Sequence, residues 1–269
     1  MYRTTIAAGV VLAATLSATA LATADAAPSH DRSTSVRAGA YKVTATVNKT
    51  EPLQGSKVKI KGSVKPAAAG SKVTLQLRYA DQKKWTNVAT DTLSGSGKFT
   101  FKDKVSSVRE RKYRVVKAAS AGHAAGHSKS LKVTVFGWRE LTSLNPATAS
   151  GFGEWDTGVK MNGVAYPNSL RTFPPFPGSG SGNSIDYNLN RACKSFRGVA
   201  GLDDSSAVAG TATVSMATDG TARYSGSFAL TQSAPVTFDV TKVFRLSITA
   251  SLANGGTAAV GTPQVLCSF

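Results

Sequence analysis

The sequence predicts an all-β protein made of two β-sandwich domains in tandem. Two observations carry the fold class and a third carries the division. From Tyr41 onward, apolar residues recur at every second position in short segments, the period of a half-buried strand. Glycine, proline and serine punctuate these segments roughly every 8 to 15 residues, with no helical period of useful length between them. The charge is unevenly placed: 22 lysines and arginines face six aspartates and glutamates from Pro28 to Phe136, but nine face eight from Gly137 to the end. Such asymmetry is expected of two units with different partners.

The first 27 residues read as a secretory signal peptide. Arg3 precedes an apolar run from Ile6 to Leu21, and Ala24-Asp25-Ala26 fits the small-x-small cleavage pattern. Thr15, Ser17 and Thr19 interrupt the run, whereas a membrane anchor needs about 20 strongly apolar residues. No second apolar run or lipidation motif follows, so no transmembrane segment is expected. Residues 28–40 read as a flexible N-terminal segment. The mature chain is expected to be secreted, extracellular and open to association with a cell surface. An exported protein with two cysteines most simply carries one disulfide, here Cys193 to Cys267. Closing that loop would stabilise the fold by roughly 4 kcal/mol in the chain-entropy picture. Two cysteines and three scattered histidines cannot supply a zinc site.

Residues 41–136 form the basic domain. "YKVTATV", "SKVKIKGSV", "SKVTLQLRY", "KWTNVAT", "GKFTFKD", "RKYRVVKAA" and "KSLKVTVFGW" read as seven strands. Val58, Ile60 and Val64 alternate with Lys57, Lys59 and Lys61. The stretch resembles the Ig-like domains of secreted bacterial proteins, on the strength of "SKVTLQLRYADQKKWTNVAT" with Trp85, "SGSGKFTF" and "YRVV". The Cys…Trp…Cys core of antibody domains is absent. His123 and His127 lie among glycines and alanines and read as exposed loop histidines rather than one helix face. The positive charge exceeds what solubility needs and points to polyanions: anionic cell-envelope polymers, acidic polysaccharides, anionic lipid surfaces or extracellular DNA. Without an aromatic-interleaved platform, no dedicated nucleic-acid site is expected.

Residues 137–269 are near neutral and rich in Gly, Ser, Thr and Ala. "SIDYNL", "FRGVAGL", "GTATVSMAT", "ARYSGSFAL", "PVTFDV", "FRLSITASL" and "PQVLCSF" read as strands, and Asp219-Gly220 is a strong hairpin signal. The order "SIDYNLNRACKSFRGVAGLDDSS", "GTATVSMATDGTARYSG", "VFRLSITASLANGG" resembles the NPCBM family of carbohydrate-binding modules, jelly rolls of the galactose-binding-like superfamily. Ile185, Tyr187, Leu189, Phe196, Asp203, Asp204, Asp219, Gly220, Leu246 and Ile248 fall at the family's places. The resemblance implies a jelly roll and a carbohydrate partner. Two parts of the family pattern are missing: "YPNSLRTFPPFPGSGSG" has no His-containing turn, and "GTPQVLCSF" has no Trp.

The adjacent Asp203 and Asp204 raise the question of chemistry. Neighbouring residues in extended chain point to opposite faces, so they make a poor acid/base pair. No nucleophile elbow, Ser/His/Asp set or HExxH helix is present, and the chain reads as no enzyme. The two carboxylates could join a calcium site or build a turn by accepting backbone N–H groups; the turn is the expected role, and no cofactor is expected. Sugar recognition needs aromatic faces, for which Trp155, Tyr166, Phe173 and Phe176 are the candidates, all in the turn-rich early part and expected outside clear strands. Pro174 and Pro175 would stiffen a loop between the two phenylalanines. The expected function is non-catalytic attachment to extracellular glycan or cell-envelope polymer. The rival is an adhesion module that binds a protein partner and has no sugar site.

Overall fold

The computed structural model describes residues 39–155, 158–173 and 182–269. The expected signal peptide and residues 28–38 lie outside them, as do Phe176 and its flanking prolines. The described chain is all-β, as the alternation predicts, with one short 3-10 turn at Leu141–Ser143.

Eight strands come from the basic half. They are β1 (Lys42–Val47), β2 (Lys57–Lys65), β3 (Lys72–Tyr79), β4 (Thr86–Thr92), β5 (Lys98–Lys104), β6 (Arg111–Lys117), β7 (Gly126–His127) and β8 (Leu131–Val133). One sheet has the order β1-β2-β5, the other β4-β3-β6-β7 with β8 also on β6. Val58, Ile60 and Val64 of β2 and Phe99 and Phe101 of β5 point inward to Val73, Leu75, Tyr113 and Val115. Burying each such side chain contributes about 1.5–3 kcal/mol. Tyr113 donates a 2.6 Å hydrogen bond to Asp103, and burial followed by that partner pushes its phenol well above the ordinary tyrosine range.

The period of two sends the lysines outward. Lys57 lies opposite Lys104 and Lys59 opposite Lys102 across β2 and β5, and Lys42 lies opposite Lys65 across β1 and β2. Lys61 and Lys98 complete this outer face, interleaved only with Thr44, Thr46, Ser63 and Thr100. Lys61 is the first cause, ahead of desolvation and Lys102, that holds the Lys59 ammonium below the ordinary lysine range.

The second half supplies β9 (Gly137–Glu140), β10 (Thr148–Ser150), β11 (Phe152–Trp155), β12 (Val159–Met161), β13 (Val164–Tyr166), β14 (Ser169–Thr172) and β15 (Asn183–Asn188). It continues with β16 (Cys193–Leu202), β17 (Thr211–Thr218), β18 (Thr221–Ala229), β19 (Ser233–Asp239), β20 (Arg245–Ala253) and β21 (Ala258–Cys267). One sheet runs β10-β15-β20-β17-β18, the other β11-β14-β21-β16-β19 with β9 on the far end of β21. The chain crosses repeatedly between the sheets, the alternation of a jelly roll. Ile185, Tyr187, Phe196, Leu246 and Ile248, which carry the family resemblance, are all core side chains between these sheets. Cys193 and Cys267, opposite each other on β16 and β21, are joined by a disulfide.

The early part of this half is more ordered than its sequence suggests. Trp155 lies in β11 opposite Ser169, and Tyr166 in β13 opposite Val159. The Asn162-Gly163 turn explains β12 and β13: both residues have positive φ, 51° and 74°, as a two-residue hairpin turn requires. Asp219 and Gly220 do the same between β17 and β18, with φ of 46° and 80°.

Two aspartates work as paired acceptors. Asp219 Oδ1 accepts the N–H of Arg245 and Oδ2 that of Phe244, tying the β17–β18 turn to the start of β20. Those two N–H groups, Arg245 first, hold its carboxyl below the usual carboxylate range. Asp204 repeats the arrangement on the β12–β13 turn. Its Oδ1 accepts from Asn162 N–H at 2.8 Å and its Oδ2 from Gly163 N–H at 2.9 Å.

Candidate functional site

The β12–β13 hairpin folds back over the outer face of the six-stranded sheet. Val159 and Met161 pack on Ala259, with Tyr166 and Val199 around them. Across β16 and β21 the register shifts between Arg197 and Val199. The bulge opposite them re-aims Thr262, which has φ of 44°. Thr262 Oγ1 donates to Pro167 O at 3.1 Å, and Ser169 Oγ donates to Tyr166 O at 2.7 Å. These bonds seat Tyr166 beside Gly261, where an added Cβ would come within 2.5 Å of the phenol ring. Glycine is needed there for the close approach.

A groove of about 470 Å³ runs alongside, lined by Tyr166, Arg197, Val199, Pro235, Thr237, Thr262 and Gln264. Arg197 Nε and Nη2 both donate to Gln264 Oε1, at 2.8 and 2.6 Å. The guanidinium carbon lies 3.9 Å from the centre of the Trp138 ring. Held by an amide on one side and an indole on the other, Arg197 loses little freedom when it engages a ligand. The site combines an aromatic wall, a charged donor, an amide and two threonine hydroxyls, a set that can recognise a hydroxyl-rich molecule.

Trp138 also borders a second depression, of about 510 Å³, with Leu53, Gln54, Gly55, Lys104, Ser106 and Phe136. Nearby, Lys194 of β16 pairs with Glu51, and its ammonium lies 4.3 Å from the centre of the Phe136 ring.

The sequence candidates are dispersed. Tyr166 lines the groove. Phe173 follows β14, donates its N–H to Gly151 O, and packs its half-buried ring where a Cβ at Gly153 would collide with it. Phe173 does not line the groove. The Trp155 side chain and all of Phe176 lie outside the described residues. Arg197, Gln264 and Trp138 were not singled out by the sequence; the two available signals were an exposed-position Arg in "KSFRGV" and a Trp directly after the basic half.

Asp203 and Asp204 follow the end of β16 where the chain turns, rather than standing in extended chain, and they take different partners. Asp203 is buried, accepts Ser205 N–H on Oδ1 at 2.8 Å and faces Arg171 Nε on Oδ2 at 3.4 Å. Each of the four carboxylate oxygens thus faces a donor within the protein. Among the described residues, no three His, Cys, Asp or Glu side chains gather as a metal-binding group. No described helix is long and apolar enough to cross a membrane.

Residues 160–260 match the NPCBM/NEW2 domain family. The NPCBM/NEW2 stretch holds all but the first residue of the hairpin, with Tyr166, Arg197, Thr237 and both aspartates, while Gln264 falls just past its end and Trp138 well before its start. Among solved structures the chain is similar to CBM51 from Clostridium perfringens GH95 in complex with methyl-galactose. The identity is 16%, over 48% of this chain and 99% of that one, with a TM-score of 0.39. It is also similar to the carbohydrate-binding module CBM36 in complex with calcium and xylotriose. There the identity is 12%, over 48% and 98%, with a TM-score of 0.27. No curated protein matches the chain.

Proposed function

We propose that this is an exported, non-catalytic protein that attaches to extracellular glycan through the groove beside Tyr166. The observation that carries the reading is Arg197, held by Trp138 and Gln264 in a groove that Tyr166 also lines, on a stretch that matches a carbohydrate-binding family. Glycan hydroxyls would take hydrogen bonds from Arg197 and Gln264, and a sugar face would lie on Tyr166. Export rests on the sequence of residues 1–27, and the absence of catalysis on the missing motifs. The division at 136/137 is part of the proposal. Each half closes over its own apolar cluster, and no strand pairing links the two sets among the described residues.

Affinity electrophoresis of the full chain through gels carrying a panel of polysaccharides tests the reading. Retardation by at least one glycan, lost in Arg197→Ala and weakened in Gln264→Ala, supports it. A retarded wild type with unchanged variants would place the site elsewhere. No retardation by any glycan would favour the protein-binding adhesion module.

A further inference from the structure

The lysine face of β1, β2 and β5 is not explained by solubility or by protection of sheet edges. Edge strands do carry lysines against unwanted pairing, but four of these, including Lys57, Lys59 and Lys61, sit on the central strand β2. Like charges placed directly opposite destabilise a sheet, and here lysine faces lysine at three registered positions. A face built only to stay in water would mix signs. The acids exist in this half but are spent elsewhere. Asp81 pairs with Arg109 and Glu110 with Lys132, while Glu51 pairs with Lys194. Asp103 turns inward to Tyr113, and Asp91 accepts the N–H groups of Thr92 and Thr100. Among the described residues, no lysine of this face is in an ion pair. The outer face of the five-stranded sheet in the other half stays polar by a different route, with Ser/Thr pairs such as Thr213–Ser227 and Ser215–Ser225.

The backbone positions of these lysines form a lattice spaced about 5 Å across strands and about 7 Å along them. Neighbours therefore lie within one Debye length and their fields add. That suits a polymer whose negative charges repeat, more than a single anion. Lysine supplies hydrated point charges without the planar fork of arginine, so no fixed oxygen geometry is demanded. The remaining side chains of the face are threonines and a serine. They offer no ring for a base to stack on and no apolar wedge for a bilayer.

We propose that this face binds an anionic polysaccharide lying along β2 and β5, its end leading toward Trp138. The Lys57–Lys104 end of the lattice opens on the depression shared by Lys104, Gly55, Ser106 and Trp138. The Trp138 ring is in turn covered by Arg197 of the groove. The lysine face stands on its own observations; the continuation past Trp138 rests on the groove being the glycan site.

The test uses the full chain with polygalacturonate, its fully methyl-esterified neutral counterpart, random-sequence duplex DNA and phosphatidylglycerol vesicles. Wild type should bind polygalacturonate and lose affinity about tenfold or more between about 50 and about 200 mM salt. The triple variant Lys59→Gln/Lys61→Gln/Lys102→Gln, checked for an unchanged melting profile, should bind at least about tenfold more weakly at the lower salt, with a shallower salt slope. The matching triple Lys→Arg variant should retain binding. Tighter binding of the acid than of its neutral ester supports charge recognition. If the Gln triple fails on polygalacturonate while Arg197→Ala leaves every glycan unaffected, the lysine face stands and the groove reading falls. Absence of polygalacturonate binding at low salt, or an unchanged Gln triple, overturns the proposal. Tighter binding of DNA or vesicles at equal charge concentration overturns the choice of polysaccharide.

Discussion

Replacing Asp203 and Asp204 separately by alanine should destabilise the protein by different amounts, because two adjacent carboxylates do different work. Asp203 has an 8% exposed side chain and faces Arg171, itself 21% exposed. Removing one partner of a buried pair costs about 3–5 kcal/mol. Arg171 keeps its 2.9 Å hydrogen bond to Ser205 Oγ and some contact with water, which places the loss near the lower end, about 3 kcal/mol. Asp204 holds two N–H groups of a surface turn that water can reach once the carboxylate is gone. Its loss should cost about 1–2 kcal/mol. At about 2–4 °C per kcal/mol for a chain of this size, Asp203→Ala should melt about 6–12 °C lower, and Asp204→Ala about 2–8 °C lower. Scanning calorimetry of both variants and wild type, with and without added calcium, reads these values. The reasoning fails if Asp204→Ala is the more destabilised. It also fails if calcium raises the melting temperature of wild type but of neither variant, since the carboxylates would then be ligands rather than internal acceptors.

Three further outcomes follow from the geometry. Gly261→Ala should leave the chain folded but push the Tyr166 ring out of the groove, weakening glycan retention in affinity gels; unchanged retention would remove Tyr166 from the site. Cys193→Ser/Cys267→Ser should lower unfolding stability by roughly 4 kcal/mol in denaturant titrations, and a loss under about 1 kcal/mol would contradict the loop-closure account. Asp219 has a folded-state carboxyl depressed below its unfolded value, so its contribution is present above the ordinary carboxylate range near pH 4 and fades as pH falls below it. Asp219→Asn should therefore show a shallower stability loss than wild type on acidification, read by thermal melts at stepped pH; identical slopes would refute it.

Much of the fold was legible because it rests on local signals. Val58 and Ile60 alternating with lysines fixed both a strand and its buried face, and Asp219-Gly220 marked a two-residue hairpin. The cysteine pair followed from composition and the expectation of export. The Asn162-Gly163 hairpin was missed although its turn chemistry is equally strong, because its strands "VKM" and "VAY" are too short to show alternation. That miss concealed the element that carries Tyr166 to the groove. Arg197, Gln264 and Trp138 were hidden for a different reason. They meet because β9 and β16 both pair with β21, and such long-range pairing leaves no trace in any one segment. The lysine face is an intermediate case: alternation put each lysine outward, but only the register of β1, β2 and β5 sets them opposite one another.

The measurement that bears most directly on the groove is an amide chemical-shift titration of the isotope-labelled chain with a polysaccharide that retards it. The account predicts that the largest shifts cluster at residues 197–199, 236–237, 261–262 and 264, with the indole N–H of Trp138 moving alongside them. Shifts centred instead on Gly151, Gly153 and Phe173, with 197–199, 261–262 and 264 unmoved, would contradict it and place recognition at the β11–β14 edge.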